Sequence, residues 1–131
     1  MNGTNLEFDN IYCNATATKA PYGKNWVQNT DGFDTMDVNN ARLTNFVYQG
    51  GDDCIAIKPR SYNIFVQNAT CHGGNGMAIG SLGQYLEDSS VENVIVDNVR
   101  VSDGCSALSA CSPLTIPDHP LQRRHAQQRL H

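Results

Sequence analysis

Asp31-Gly32-Phe33-Asp34-Thr35-Met36 aligns with Asp53-Cys54-Ile55-Ala56-Ile57-Lys58 and with Asn75-Gly76-Met77-Ala78-Ile79-Gly80, each copy 22 residues after the last. Every copy is a short apolar run opened by Asp or Asn. A second pattern, Asn followed by an apolar residue, any residue and an apolar residue, recurs as Asn5-Leu6-Glu7-Phe8, Asn63-Ile64-Phe65-Val66 and Asn93-Val94-Ile95-Val96, with a looser copy at Asn45-Phe46-Val47-Tyr48. Period-2 alternation over four to six residues predicts strands, and Gly50-Gly51 and Gly73-Gly74 predict turns between them. Short strands at a long, regular period are what a parallel β-helix requires, because each coil buries its inner face only by stacking on its neighbours. A β-sandwich would instead show turn signals about every 8–12 residues and no in-register repeat. Asn45, Asn63 and Asn93 fall at equivalent places of these runs and read first as bend or ladder residues.

The remainder of the chain bounds this reading. With 131 residues, 40% of them hydrophobic, the chain makes one modest domain. A net charge of −4 and the lack of a basic face over residues 1–103 argue against a nucleic-acid partner. Apolar runs of only a few residues are far short of the roughly 20 that cross a bilayer. The N-terminus, Met1-Asn2-Gly3-Thr4-Asn5, lacks the basic and apolar segments of a signal peptide. Against a cytoplasmic location stand Asn-x-Ser/Thr acceptor sites at Asn2, Asn14 and Asn68 and 5 cysteines, both extracellular features. An odd cysteine count leaves at least one thiol without an internal partner. From residue 104 to 131 the chain becomes Pro-, Gln- and Arg-rich, with no strand period, and reads as a divergent tail, disordered or weakly helical.

The repeat sets Asp31 and Asp53 at one position of neighbouring coils, about 4.8 Å apart along the stack. Asp52 adds a third acid. Successive strand residues face opposite ways, so Asp52 and Asp53 serve one cleft only if the chain bends, and Gly50 and Gly51 permit that. Mutual repulsion raises the pKa of at least one of three clustered carboxyls, which creates the acid and base that glycoside hydrolysis uses. A calcium site of clustered oxygens and plain solvated turn acids are the competing readings at this point.

Asn29-Thr30-Asp31-Gly32, Gly51-Asp52-Asp53-Cys54 and Gly73-Gly74-Asn75-Gly76-Met77-Ala78-Ile79-Gly80-Ser81-Leu82-Gly83-Gln84-Tyr85 resemble, in order and spacing, the signature blocks of the family 28 glycoside hydrolases. The likeness covers about residues 1–101 and is greatest to the fungal exo-polygalacturonases. It implies a right-handed parallel β-helix that hydrolyses α-1,4 galacturonosyl bonds of pectin with inversion, needs no cofactor or metal, and works outside the cell as a monomer when full length. Carried over, Asp52 is the general acid, while Asp31 and Asp53 activate water. Asn29, Lys58, Asn75, Gln84 and Tyr85 are the candidate substrate-binding residues, and Cys54 and Cys71 a disulfide. Asn75 stands where endo-acting members have histidine. The basic block that grips the substrate carboxylate does not follow, and Lys58 and Arg60 read by themselves as solvated turn residues. A fold of about four coils leaves strand edges open, so the isolated chain is expected to be poorly active. The alternatives from other classes are a non-catalytic carbohydrate-binding solenoid and a calcium-dependent pectate lyase.

Overall fold

The computed structural model describes residues 2–16, 19, 27–84 and 89–102, and the backbone of 108–110. Among these the regular elements are all strands: β1 (Gly3–Asn14), β2 (Phe33–Thr35), β3 (Val38–Gln49), β4 (Asp53–Ile57), β5 (Ser61–His72), β6 (Gly76–Ile79), β7 (Val91–Ser102) and β8 (Leu108–Ala110). The chain alternates between two parallel sheets, β1-β3-β5-β7 and β2-β4-β6-β8. This is a stretch of parallel β-helix, as the repeat predicts.

The long strands are bent twice. Asn5, Asn40, Asn63 and Asn93 have φ between 54° and 63°, and Asn10, Asn45, Asn68 and Asn98 between 53° and 57°. Asparagine enters this left-handed region more readily than other side-chain-bearing residues, because its short amide bonds locally. Each such residue adds one position and resets the alternation. In β3 the buried positions are Val38, Ala41, Leu43, Phe46 and Tyr48, and in β5 they are Ser61, Ile64, Val66, Ala69 and Cys71.

The eight asparagines occupy two rows of equivalent positions along the stack, and the side-chain bonds that follow these rows also use Asn39 and Asp9. Asn93 donates to Asn63 at 3.0 Å, Asn63 to Asn39 at 2.9 Å and Asn40 to Asn5 at 2.7 Å. In the second row Asn98 donates to Asn68 at 2.6 Å, Asn68 to Asn45 at 3.3 Å and Asn45 to Asp9 at 2.8 Å. Asn45 is therefore no copy of Asn63. The pairing of Ala41 with Ile64 and of Phe46 with Ala69 makes Asn40 the equivalent of Asn63, and Asn45 the equivalent of Asn68.

The 22-residue spacing holds on one face only, where Phe33 pairs with Ile55 and Ile55 with Met77. On the other sheet Gly3 pairs with Val38, Val38 with Ser61 and Ser61 with Val91. Loops of unequal length are extruded between strands while the stacked segments stay in register. The segment after Ser102, read from sequence as lacking strands, contains β8, whose backbone pairs with β6 through Met77↔Leu108 and Ile79↔Ala110. The rest of that segment lies outside the described residues.

Between the sheets lies an apolar core of Val38, Leu43, Phe46, Tyr48, Ile55, Ile57, Ile64, Val66 and Met77. Phe33 joins it to the outer face, its ring 5.2 Å from Phe8 and 6.1 Å from Phe46, both edge-on. The buried hydroxyl of Ser61 donates to Thr35 at 2.9 Å, so neither enters the core unpaired. Cys54 and Cys71 form the disulfide that the resemblance implies, closing a 17-residue separation, worth about 3 kcal/mol on the chain-entropy account. Cys13 is a half-buried free thiol, and Cys105 and Cys111 lie outside the described residues.

Candidate active site

The turn Gly50–Asp52 carries the first of the two adjacent acids and β4 opens with the second, Asp53; the shape of the turn is imposed by Tyr48 beneath it. Tyr48 is fully buried. Its hydroxyl donates to the Thr30 carbonyl at 2.6 Å and accepts from the Asp52 amide at 3.2 Å. One phenol thus ties the loop before β2 to the loop before β4. Glycine is required against it. A Cβ on Gly50 would stand 2.2 Å from the Tyr48 oxygen, and one on Gly32 2.6 Å from the ring. At Gly74, where φ is +69°, a Cβ would lie 2.0 Å from the Asp52 carbonyl oxygen.

Because of this bend, Asp52 and Asp53 face the same side. Asn75 Nδ2 donates to Asp52 Oδ1 at 3.1 Å and to Asp53 Oδ1 at 3.0 Å, and its backbone amide donates to the Asp52 carbonyl at 3.1 Å. Asp52 Oδ2 accepts from the Asn29 backbone amide at 2.6 Å. Burial pushes the Asp53 carboxyl upward, against the Asn75 bond, which pulls it down; Asp52 and Asp34 push it further up.

Asp31 belongs to the neighbouring cluster. Lys58 Nζ lies 3.3 Å from its Oδ2 and also pairs with Asp34. Burial, then the charge and hydrogen bond of Asp34, raise Asp31 to about 6, with Lys58 opposing and Asp52 adding a smaller push. Asn29, Asp31, Gly32, Phe33, Asp34 and Lys58 line an open groove on this face.

Sequence reasoning therefore named most of the polar groups gathered here, namely Asn29, Asp31, Asp52, Asp53, Lys58 and Asn75. Lys58 is ion-paired inside the groove instead of solvated at a turn. Arg60 pairs with Asp37. Gln84 is exposed and outside the groove lining, and Tyr85 lies outside the described residues. Two residues were missed. Asp34 stood in the quoted repeat but has no counterpart acid in the other two copies, and Tyr48 read only as an apolar repeat position. Among the described residues no group of three His, Cys, Asp or Glu side chains is placed to hold a metal ion.

A parallel β-helix with a carboxylate-lined groove on one face is the class that fold and site define. The chain belongs to the glycosyl hydrolases family 28, which it matches over residues 1–109. It is 78% identical over 101 residues to an Aspergillus niger protein provisionally named galacturan 1,4-alpha-galacturonidase C, covering 77% of this chain and 24% of that protein. A Neosartorya fischeri protein with the same provisional name is 73% identical over 107 residues, covering 77% of this chain and 25% of the relative. Exopolygalacturonase B of Aspergillus niger is 42% identical over 100 residues, covering 76% and 22%. The chain thus spans about a quarter of the length of these curated relatives. No solved structure matches it significantly.

Proposed function

We propose that this chain carries catalytic coils of a secreted enzyme that hydrolyses α-1,4 galacturonosyl bonds of pectin or polygalacturonate, acting from chain ends and with inversion. Asp52 protonates the glycosidic oxygen as the bond breaks. Water attacks the anomeric carbon and gives its proton to Asp31 or Asp53. The observation that carries this reading is the single amide of Asn75 bonded to both Asp52 and Asp53, which favours two acids working at one bond over acids scattered on a solvated turn.

The same bonds constrain the geometry. Two oxygens held by one nitrogen at 3.1 and 3.0 Å stand closer than the roughly 6.5–9.5 Å that leaves room for water in inverting glycosidases. The attacking water is therefore assigned to the Asp31 side of the groove, with Asp52 opposite. Lys58, with its ammonium in the groove, is the candidate cation for a uronate carboxylate. Of the three acceptor motifs, those at Asn2 and Asn14 are the candidate glycan sites, while the Asn68 amide is engaged by Asn45 and Asn98.

The test is reducing-sugar release from polygalacturonate at mildly acid pH. It compares the chain, its Asp52→Asn variant and a chimera in which residues 1–101 replace the matching stretch of the 78% identical relative. Release by the chimera that Asp52→Asn abolishes, with the β-anomer formed first by NMR, supports the proposal. An unsaturated, ultraviolet-absorbing product lost with a chelator would assign a lyase instead. Binding of oligogalacturonate without release would assign a carbohydrate-binding solenoid.

A further inference from the structure

Asp34 sits at the middle of β2, between Phe33, whose ring meets the core, and the buried Thr35. Strand alternation therefore turns Asp34 outward into the groove. Opposite it, Lys58 follows directly on β4, and its backbone amide donates to the Thr35 carbonyl at 3.0 Å. The ammonium thus meets both Asp31 and Asp34 from a fixed backbone position. The three side chains are 20–32% exposed, sheltered but in reach of water.

We propose that Asp34 is a fourth working carboxylate of this groove: Asp34 and Lys58, joined to each other and to Asp31 through the Lys58 ammonium, are positioning residues that act on the charge of Asp31 in opposite directions. The catalytic consequence rests on the function proposed above, whereas the electrostatic coupling rests on the bridge that Lys58 makes between the two carboxylates. Two carboxylates and one ammonium carry a net charge of −1. One ammonium does not offset both acids, and like charges gathered at one cation raise the pKa of the more sheltered carboxyl.

The groups that act on Asp31 come from every adjoining element. Asp34 on β2 and Asp52 on the turn before β4 raise its carboxyl, and Lys58 after β4 lowers it. Tyr48 on β3 feels the Asp31 charge, and Asp53 on β4 feels both Asp34 and Lys58. Removing Asp34 and removing Lys58 must therefore move Asp31 in opposite directions. A merely structural role has no reason to produce that signature.

The experiment is a pH titration of the side-chain carboxyl carbons by NMR, in the whole chain labelled with 13C-aspartate, for the parent and its variants. In the parent, Asp31 titrates near 6. Asp34→Asn lowers the Asp31 midpoint by about 1 unit and Lys58→Met raises it by a similar amount, while Lys58→Arg leaves it in place. If Lys58→Met does not give a folded spectrum, Lys58→Gln replaces it. An Asp31 midpoint unmoved by Asp34→Asn, or moved in the same direction by both substitutions, overturns the proposal. Because this readout follows a proton and no sugar, a chain that hydrolyses nothing can still show the coupling, and failures of the two readings remain distinct.

Discussion

The Tyr48 hydroxyl donates to the Thr30 carbonyl at 2.6 Å from a ring with no exposure to solvent, so a core residue holds the edge of the groove. Tyr48→Phe keeps the apolar packing and leaves the Thr30 carbonyl and the Asp52 amide without this partner. Unsatisfied groups of this kind cost about 1–3 kcal/mol. A lower urea midpoint with an unchanged slope is expected, together with loss of sugar release by the chimera beyond what the stability change explains. An unchanged midpoint would mean that water replaces the phenol.

Asn75 is the residue through which Asp52 and Asp53 are held together. Its bond lowers the Asp53 carboxyl against the burial that raises it. Asn75→Ala removes that bond, so the Asp53 pKa rises and the acid limb of the pH–activity profile moves to higher pH. Asn75→Gln, with the same amide on a longer stem, restores part of the parent profile. Equal profiles for parent and Asn75→Ala would remove Asn75 from the site.

Asp31 also leaves a mark on stability. Its folded pKa of about 6 lies above the ordinary 3.8, so the unfolded state releases its proton first as pH rises. The contribution is complete below about 4 and is lost as pH climbs through 6. Solvent contact reduces it to on the order of 1 kcal/mol. Thermal melts of Asp31→Asn against the parent are expected to converge at pH 4 and to favour the variant at pH 7; a gap that does not change with pH would contradict this.

Asn68 is both a glycan acceptor by sequence and a rung of the second asparagine row. Its amide donates to Asn45 and accepts from Asn98 at a φ of 55°. Asn68→Ala loses two hydrogen bonds and the tolerance for this backbone, about 1–3 kcal/mol together. Asn68→Gly keeps the backbone and recovers part of the loss. Mass spectrometry of the chain from a glycosylating host is expected to find sugar on Asn14, which is exposed and accepts a turn bond from the Thr16 amide at 3.0 Å, and none on Asn68. Full occupancy of Asn68 in a folded chain would show that the row tolerates a glycan.

Much of this molecule was determined by the sequence itself. Apolar runs opened by Asp or Asn specify strands and bends locally, and the 22-residue spacing from Phe33 to Ile55 to Met77 reports a coil on which loops are short. Asp31, Asp52, Asp53 and the Cys54–Cys71 pair were legible because they lie in or beside short motifs that resemble those of a known family, whereas Asp34 was not. Tertiary structure alone decided how coils of unequal length stack. An extruded loop changes the sequence distance between partners without changing their separation in space, which is why Asn40 and Asn45 could not be assigned to separate rows by spacing. For the same reason the bond from Asn75 to two acids, the bond from Tyr48 to Thr30 and the Lys58 bridge from Asp31 to Asp34 emerged only in three dimensions. Each joins residues from different turns of the solenoid, and stacking, not chain neighbourhood, brings them within hydrogen-bond reach.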